Sequence, residues 1–177
     1  MQDKIIIAGR GGQGALRIGQ MIAYAGMSEG KETTWLPSYG AEMRGGTANC
    51  SVIVSKDLIA SPIITQPNFC LVMNRPSLLK FESWVLPGGI LIINSSMVSD
   101  GATREDIHAY TIPADDIAEE ENPRGANMVM LGAYLALSKS VTLESVYEVI
   151  EQSFTGSKAK YVDSNKKLVK HGFDYVS

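Results

Sequence analysis

Lys4-Ile-Ile-Ile-Ala-Gly9-Arg10-Gly11-Gly12-Gln13-Gly14-Ala15 carries an apolar segment straight into a glycine-rich turn, beyond which the pattern becomes helical. Glycines at 9, 11 and 14 fit G-x-G-x-x-G. In that pattern the first glycine permits a tight turn, the second lets the main chain approach a ligand, and the third lets helix and strand pack closely. A phosphate or carboxylate at the start of the helix would meet unpaired N–H groups and the positive end of the helix dipole. The turn 9–14, Arg10 and Gln13 included, is therefore a candidate anion-binding element. The same glycines would also serve a strand-to-helix turn at which nothing binds.

A dinucleotide site makes a further demand, an Asp or Glu about 20 residues beyond the turn to hold the ribose hydroxyls. The second strand reads as 32–36, and it is followed by Pro37-Ser38-Tyr39-Gly40-Ala41-Glu42-Met43-Arg44-Gly45-Gly46. Glu42 stands beyond a proline and a glycine, badly placed for a ribose. Arg44, followed by Gly45 and Gly46, reads instead as a second anion contact: a planar fork of donors beside open backbone. Its alternative role is a surface arginine paired with Glu42 or Glu29. In a parallel sheet, loops leaving neighbouring strands share the carboxyl edge, so Tyr39, Arg44, Gly45 and Gly46 are expected beside the glycine turn.

Outward from these two loops, residues 13–27 keep Leu16, Gly19, Ile22, Ala23 and Gly26 on one helical face, with Gly30 as the stop. Strands are expected at 47–55, 69–73, 90–94 and 107–112, and a helix from Pro76 to about residue 85. Short, continuously apolar strands separated by helix-length segments predict a Rossmann-like α/β fold: a mostly parallel sheet with helices on both faces. The C-terminal part reads as helical, with helices near 126–138, from a Thr142 N-cap to about 154, and over 158–171 with Gly172 as the stop. Segments 95–106 and 113–125 read as polar loops. Residues 126–137 are apolar nearly all round, which predicts a helix at the centre of the fold or one with a face turned to another subunit, and leaves self-pairing of an isolated chain open.

With 177 residues and no internal repeat, the whole chain, 1–177, reads as one domain. A net charge of -3, from 16 Lys plus Arg against 19 Asp plus Glu, argues against nucleic acid and a polybasic membrane patch. The start, Met1-Gln-Asp-Lys, has no signal-peptide pattern, which predicts a cytoplasmic protein, and no apolar run reaches the length of a membrane span. Cys50 and Cys70 read as core thiols, too few for an iron–sulfur cluster; His108 and His171 lack metal-ligand spacing, so no metal is expected. There is no P-loop and no nucleophile elbow. The carboxylates at 115–116 and 119–121 have no companion base, so no catalytic residue is assigned.

The two loop motifs together, with Ile59-Ala60-Ser61-Pro62, Pro87-Gly88-Gly89, Asn127 and Gly132, and Asn165 and Gly172, closely resemble the gamma subunit of 2-oxoacid:acceptor (ferredoxin) oxidoreductases over nearly the full chain. The resemblance implies an assembly that oxidatively decarboxylates a 2-oxoacid, passes two electrons to ferredoxin or a similar acceptor, and forms an acyl-coenzyme A. Thiamine diphosphate and iron–sulfur clusters would then be held by the partners, the alpha and beta catalytic subunits and a ferredoxin-like delta subunit, with no cofactor bound by this chain alone. Its loops would face coenzyme A or the junction with those subunits. The wording of 37–46 looks most like the 2-oxoglutarate branch. A free-standing nucleotide- or coenzyme-binding protein and a purely architectural subunit are the competing readings.

Overall fold

A computed structural model describes residues 2–38 and 47–177. Six strands, β1 (Gln2–Arg10), β2 (Glu32–Ser38), β3 (Thr47–Ser55), β4 (Phe69–Val72), β5 (Ile90–Asn94) and β6 (His108–Ile112), form one sheet in the order β2-β3-β1-β4-β5-β6. β1, β4, β5 and β6 pair in parallel, while β3 is antiparallel to both of its neighbours, β1 and β2. Five strands therefore point one way and β3 alone runs back between two of them. Ile5, Ile6, Ile7 and Ala8 are all at most 1% exposed, as expected of a strand buried on both faces.

One face of the sheet carries the larger layer. Helix α1 (Ala15–Ser28) packs on β2 and β3, and α4 (Ala126–Ser138) on β4 and β5, with α3 (Ala114–Glu119), α5 (Leu143–Ser153) and α6 (Val162–Val176) around them. The other face is covered by α2 (Arg75–Phe81), a 3-10 turn (Glu82–Trp84) and irregular segments that contribute Ile64, Val98 and Ile107. Local chemistry sets the ends. Helix α1 closes on Gly30 at φ +73, where Lys31 N–H reaches Gly26 O and Gly30 N–H reaches Met27 O. Thr142 caps α5 by accepting Ser145 N–H, as expected from its sequence.

Three sequence readings are corrected, and one left with two alternatives is resolved. Segment 113–125 contains α3, ordered by Asn94 at the end of β5, whose amide accepts Ala114 N–H (3.2 Å) and donates to Asp115 (2.6 Å). Strand β2 continues through Pro37 to Ser38, since an edge strand tolerates a residue without N–H. Gly172 does not stop α6, which runs on to Val176. It is the point where α6 touches α4: a Cβ on Gly172 would lie 1.9 Å from Val129 O, and one on Gly132 1.9 Å from Val169 O. Finally, Ala126 to Leu135 of α4 are all buried within the chain, Tyr134 and Met130 completely, so that stretch is core and offers no face to a partner.

Candidate functional site at the carboxyl edge

Strand β1 ends at Arg10 and the chain turns at once, Gln13 N–H donating to Arg10 O (3.0 Å). The Gln13 carboxamide holds the turn from inside. It accepts Arg10 N–H (2.6 Å) and donates to Met73 O (3.2 Å) at the end of β4. Gly9 has no Cβ because Met73 occupies the space, its own Cβ 2.8 Å from where one would be. The left-handed residues are Gly12 (φ +94) and Gly14 (φ +79), so the tight turn expected of Gly9 is made by these two. Arg10, Gly11 and Gly12 are exposed, and nothing lies within 4 Å of a Cβ on Gly12. The open backbone expected of Gly11 is thus present at Gly12 as well as at the exposed Gly11.

Gly14 heads α1 with no side-chain cap, and although Arg17 N–H turns back to Gly14 O (3.1 Å), the earlier first-turn N–H groups have no carbonyl within the helix to reach. A Cβ there would come within 2.5 Å of Asn127 Nδ2 on α4. The third glycine therefore makes room for a carboxamide from the neighbouring helix, where strand packing was expected. Asn127 itself is 8% exposed.

Tyr39, Arg44, Gly45 and Gly46, with Glu42, lie outside the described residues. The strands on either side fix where that loop begins and ends. Ser38 pairs with Asn49, and Thr47 pairs with Arg10, so both ends stand at the carboxyl edge and one is directly beside the glycine turn.

Behind Gly14 lies a cavity of about 680 Å³ between α1, the head of α4 and the 3-10 turn Gly156–Tyr161. Arg17, Arg124 and Lys158 line it, together with Asn127 and Asn165. Sequence reasoning passed over the three cations, since each reads singly as a surface charge. The one available signal was Asn122-Pro-Arg-Gly125 directly before an apolar helix. A second cavity, of about 650 Å³, opens at the opposite edge of the sheet, where the buried Asp3 carboxylate accepts the Tyr134 hydroxyl (3.1 Å).

The thiols are confined to packing. Burial pushes the Cys50 thiol up to about 12 and raises Cys70 further, and the two belong to the cores on opposite faces of the sheet. They cannot share a metal, and among the described residues no group of three or more His, Cys, Asp or Glu side chains is placed to hold one. Among those residues, too, no helix is long and apolar enough to cross a membrane.

Known proteins match this arrangement along its length. The pyruvate ferredoxin/flavodoxin oxidoreductase family profile matches residues 4–175. The ketoisovalerate oxidoreductase subunit VorA of Methanothermobacter marburgensis is 38% identical over 98% of this chain, which spans only 36% of VorA. The 2-oxoglutarate synthase subunit KorC of Methanocaldococcus jannaschii is 32% identical over 86% of this chain and 84% of its own. Among solved structures, the keto/oxoacid ferredoxin oxidoreductase gamma subunit of Geobacter sulfurreducens superposes with a TM-score of 0.85 at 26% identity, covering 98% of both chains. The 2-oxoglutarate:ferredoxin oxidoreductase of Magnetococcus marinus, solved with 2-oxoglutarate, coenzyme A and succinyl-CoA bound, shares the fold (TM-score 0.83, 23% identity) over 99% of this chain and 32% of its own. The identities do not single out the 2-oxoglutarate branch. The chain belongs to the pyruvate ferredoxin/flavodoxin oxidoreductase family.

Proposed function

We propose that this chain is the gamma component of a coenzyme A-dependent 2-oxoacid:ferredoxin oxidoreductase, and that its carboxyl edge contacts coenzyme A or the junction with the catalytic subunits. The observation that carries the reading is the pairing of Arg10 with Thr47, which sets an open glycine turn beside the point where the segment containing Arg44 ends. Exposed main chain at Gly11 and Gly12, the uncapped start of α1 and the guanidinium of Arg10 suit an anionic group there. Oxidative decarboxylation needs an electron sink for the carbanion and carriers for two electrons, supplied by thiamine diphosphate and iron–sulfur clusters. With both thiols buried on opposite faces, this chain's own residues do not fit a cluster. Those groups belong in the proposal to alpha, beta and delta partners, and the chain supplies binding and position.

Two substrates are in view. Identities of 38 and 39% to VorA proteins favour ketoisovalerate, whereas KorC proteins, matched over 84 to 99% of their own length, favour 2-oxoglutarate. The purely architectural reading draws on Gly9, Gln13 and Gly14, each of which is engaged inside the chain. Anoxic affinity capture of the tagged chain from its native extract tests these together. The expected result is a complex that contains iron and thiamine diphosphate and turns over one of the two acids with coenzyme A; capture of the chain alone, without either group, overturns the proposal.

A further inference from the structure

We infer that the cavity at the amino edge of the sheet binds an aliphatic α-amino acid, its ammonium on Asp3 and its carboxylate on Lys56 and Lys139. The cavity lies at the end of β1 away from the glycine turn, so this site goes beyond the proposed function and stands apart from it. One residue there is out of pattern. Ile5 and Ile7 of β1 belong to the larger core, and the period of two puts Asp3 on their face, where a strand buried on both sides ordinarily carries an apolar residue. Asp3 is 3% exposed and lines the cavity of about 650 Å³. Its Oδ2 accepts the Tyr134 hydroxyl (3.1 Å), which is bonded in turn to Ser140 Oγ (2.6 Å). These partners are neutral. Among the described residues Asp3 forms no ion pair, and Lys31, which lines the same cavity, is engaged by Glu29 and Ser140 O. A carboxylate buried this deeply is ordinarily paired with a cation, and burial raises the Asp3 carboxyl above its usual range. An ammonium entering the cavity supplies the missing charge.

The rest of the lining selects what carries that ammonium. Val54, Phe69, Leu86, Ile90 and Leu137 give the cavity an apolar wall suited to an aliphatic side chain. Lys56 and Lys139 also line it; both are exposed, and neither forms an ion pair among the described residues. A simple amine would be repelled by these two ammonium groups, whereas a zwitterion meets each sign with its opposite. Lys139 also stands where glycine is the usual choice. It is the one non-glycine residue with a positive φ (+57) among those described, at the C-terminal cap of α4.

The test is titration calorimetry of the purified full chain with L-leucine, isocaproate (leucine without its ammonium), leucinamide (leucine without its carboxylate) and glycine. Leucine should bind saturably, and isocaproate, leucinamide and glycine should each bind at least tenfold more weakly. Asp3→Asn keeps an oxygen for the Tyr134 hydroxyl and removes the charge, so it should lose at least tenfold in leucine affinity. Lys56→Ser/Lys139→Gly changes two exposed residues, the second to one that suits a positive φ; it should melt like the parent, lose at least tenfold for leucine and bind leucinamide unchanged. Lys80→Ser/Lys160→Ser removes the same charge elsewhere and should change nothing. Absence of saturable leucine binding at millimolar concentration overturns the inference. So does isocaproate binding as tightly as leucine, a comparison made on the parent chain and therefore decisive even where Asp3→Asn does not fold. Leucine affinity left intact by Lys56→Ser/Lys139→Gly, or lowered as much by Lys80→Ser/Lys160→Ser, overturns it as well.

Discussion

Replacing Gly132 by alanine tests how α4 and α6 are joined. The new Cβ would sit 1.9 Å from Val169 O and 2.8 Å from Phe173 N, both backbone atoms of α6. Carbon and carbonyl oxygen approach in proteins to about 3.3 Å, so the two helices must separate by roughly 1.4 Å at the crossing. A side chain could swing aside; a helix backbone moves only with everything packed on it, here Leu168 and Val169 in the core. Overpacking of this kind costs about 1 to 3 kcal/mol or more, against a gain of about 1 kcal/mol from better helix propensity. The net loss should be about 1 kcal/mol at the middle of that range and about 2 at its upper end, or a fall in Tm of roughly 2 to 8 °C for a chain of this size. Gly172→Ala should match it, since its Cβ would meet Val129 O at the same 1.9 Å. Gly101→Ala is the control, with nothing within 4 Å, and should stay within about 0.5 kcal/mol of the parent. Thermal melts followed by circular dichroism decide the matter. If Gly132→Ala raises Tm, propensity governs and the close crossing is not what that glycine is for.

At the carboxyl edge, Gly12→Val has open space but a φ of +94, and Gly14→Ala adds a 2.5 Å contact with Asn127 to a φ of +79; each should cost about 1 to 3 kcal/mol and raise the apparent KM for coenzyme A or weaken assembly of the reconstituted complex. Arg44→Ala should fold normally and, if its charge-assisted contact is worth about 1.5 to 3 kcal/mol, raise that KM tenfold or more; normal kinetics and assembly in all three variants would make the loops structural only. The isolated chain should show no turnover of 2-oxoglutarate, ketoisovalerate or pyruvate with coenzyme A and an artificial electron acceptor, a result checked directly in a spectrophotometric assay. Ellman's reagent at pH 8 should find neither Cys50 nor Cys70 in the native chain and both after denaturation, because burial disfavours both thiolates. Burial alone would raise Glu29, but Lys31, the Thr142 amide (2.7 Å) and the Ser145 hydroxyl (2.7 Å) outweigh it and hold its carboxyl at about 2. A folded value below the ordinary 4.5 stabilises above pH 4.5 and is lost as pH falls toward 2, so melts of Glu29→Gln should flatten over that window.

What could be read from the sequence follows the range of the interactions involved. Strands buried on both faces announce themselves as apolar runs, and the Thr142 cap acts three residues away, so these elements are legible locally. Gly172 could not be read this way. A glycine late in a helical segment has two meanings, stop or close approach, and what separates them is Val129, 43 residues earlier in the chain by the numbering. Helix α3 is only six residues long and depends on Asn94, so its own sequence carried little periodicity. The spacing of the glycine motif is visible in the sequence, but the part each glycine plays is not. Met73 and Asn127, which decide what Gly9 and Gly14 are for, come from β4's end and from α4.

The reversed strand β3 ties these observations into one site. β2 does not pair with β1 directly, since β3 lies between the two. Because the chain returns through β3, inserted between them and hydrogen-bonded to β1, residues 39–46 begin and end at the same edge, their last neighbour paired with Arg10. Gln13 then fixes the turn to β4, and Asn127 fills the notch at Gly14 from α4. The glycine turn, the two ends of segment 39–46 and the cavity lined by cations are thereby brought to one corner by three separate long-range contacts. Substitutions at Gly14 should consequently perturb the turn and the cavity together, whereas those at Gly12, where a Cβ meets nothing, should perturb the turn alone.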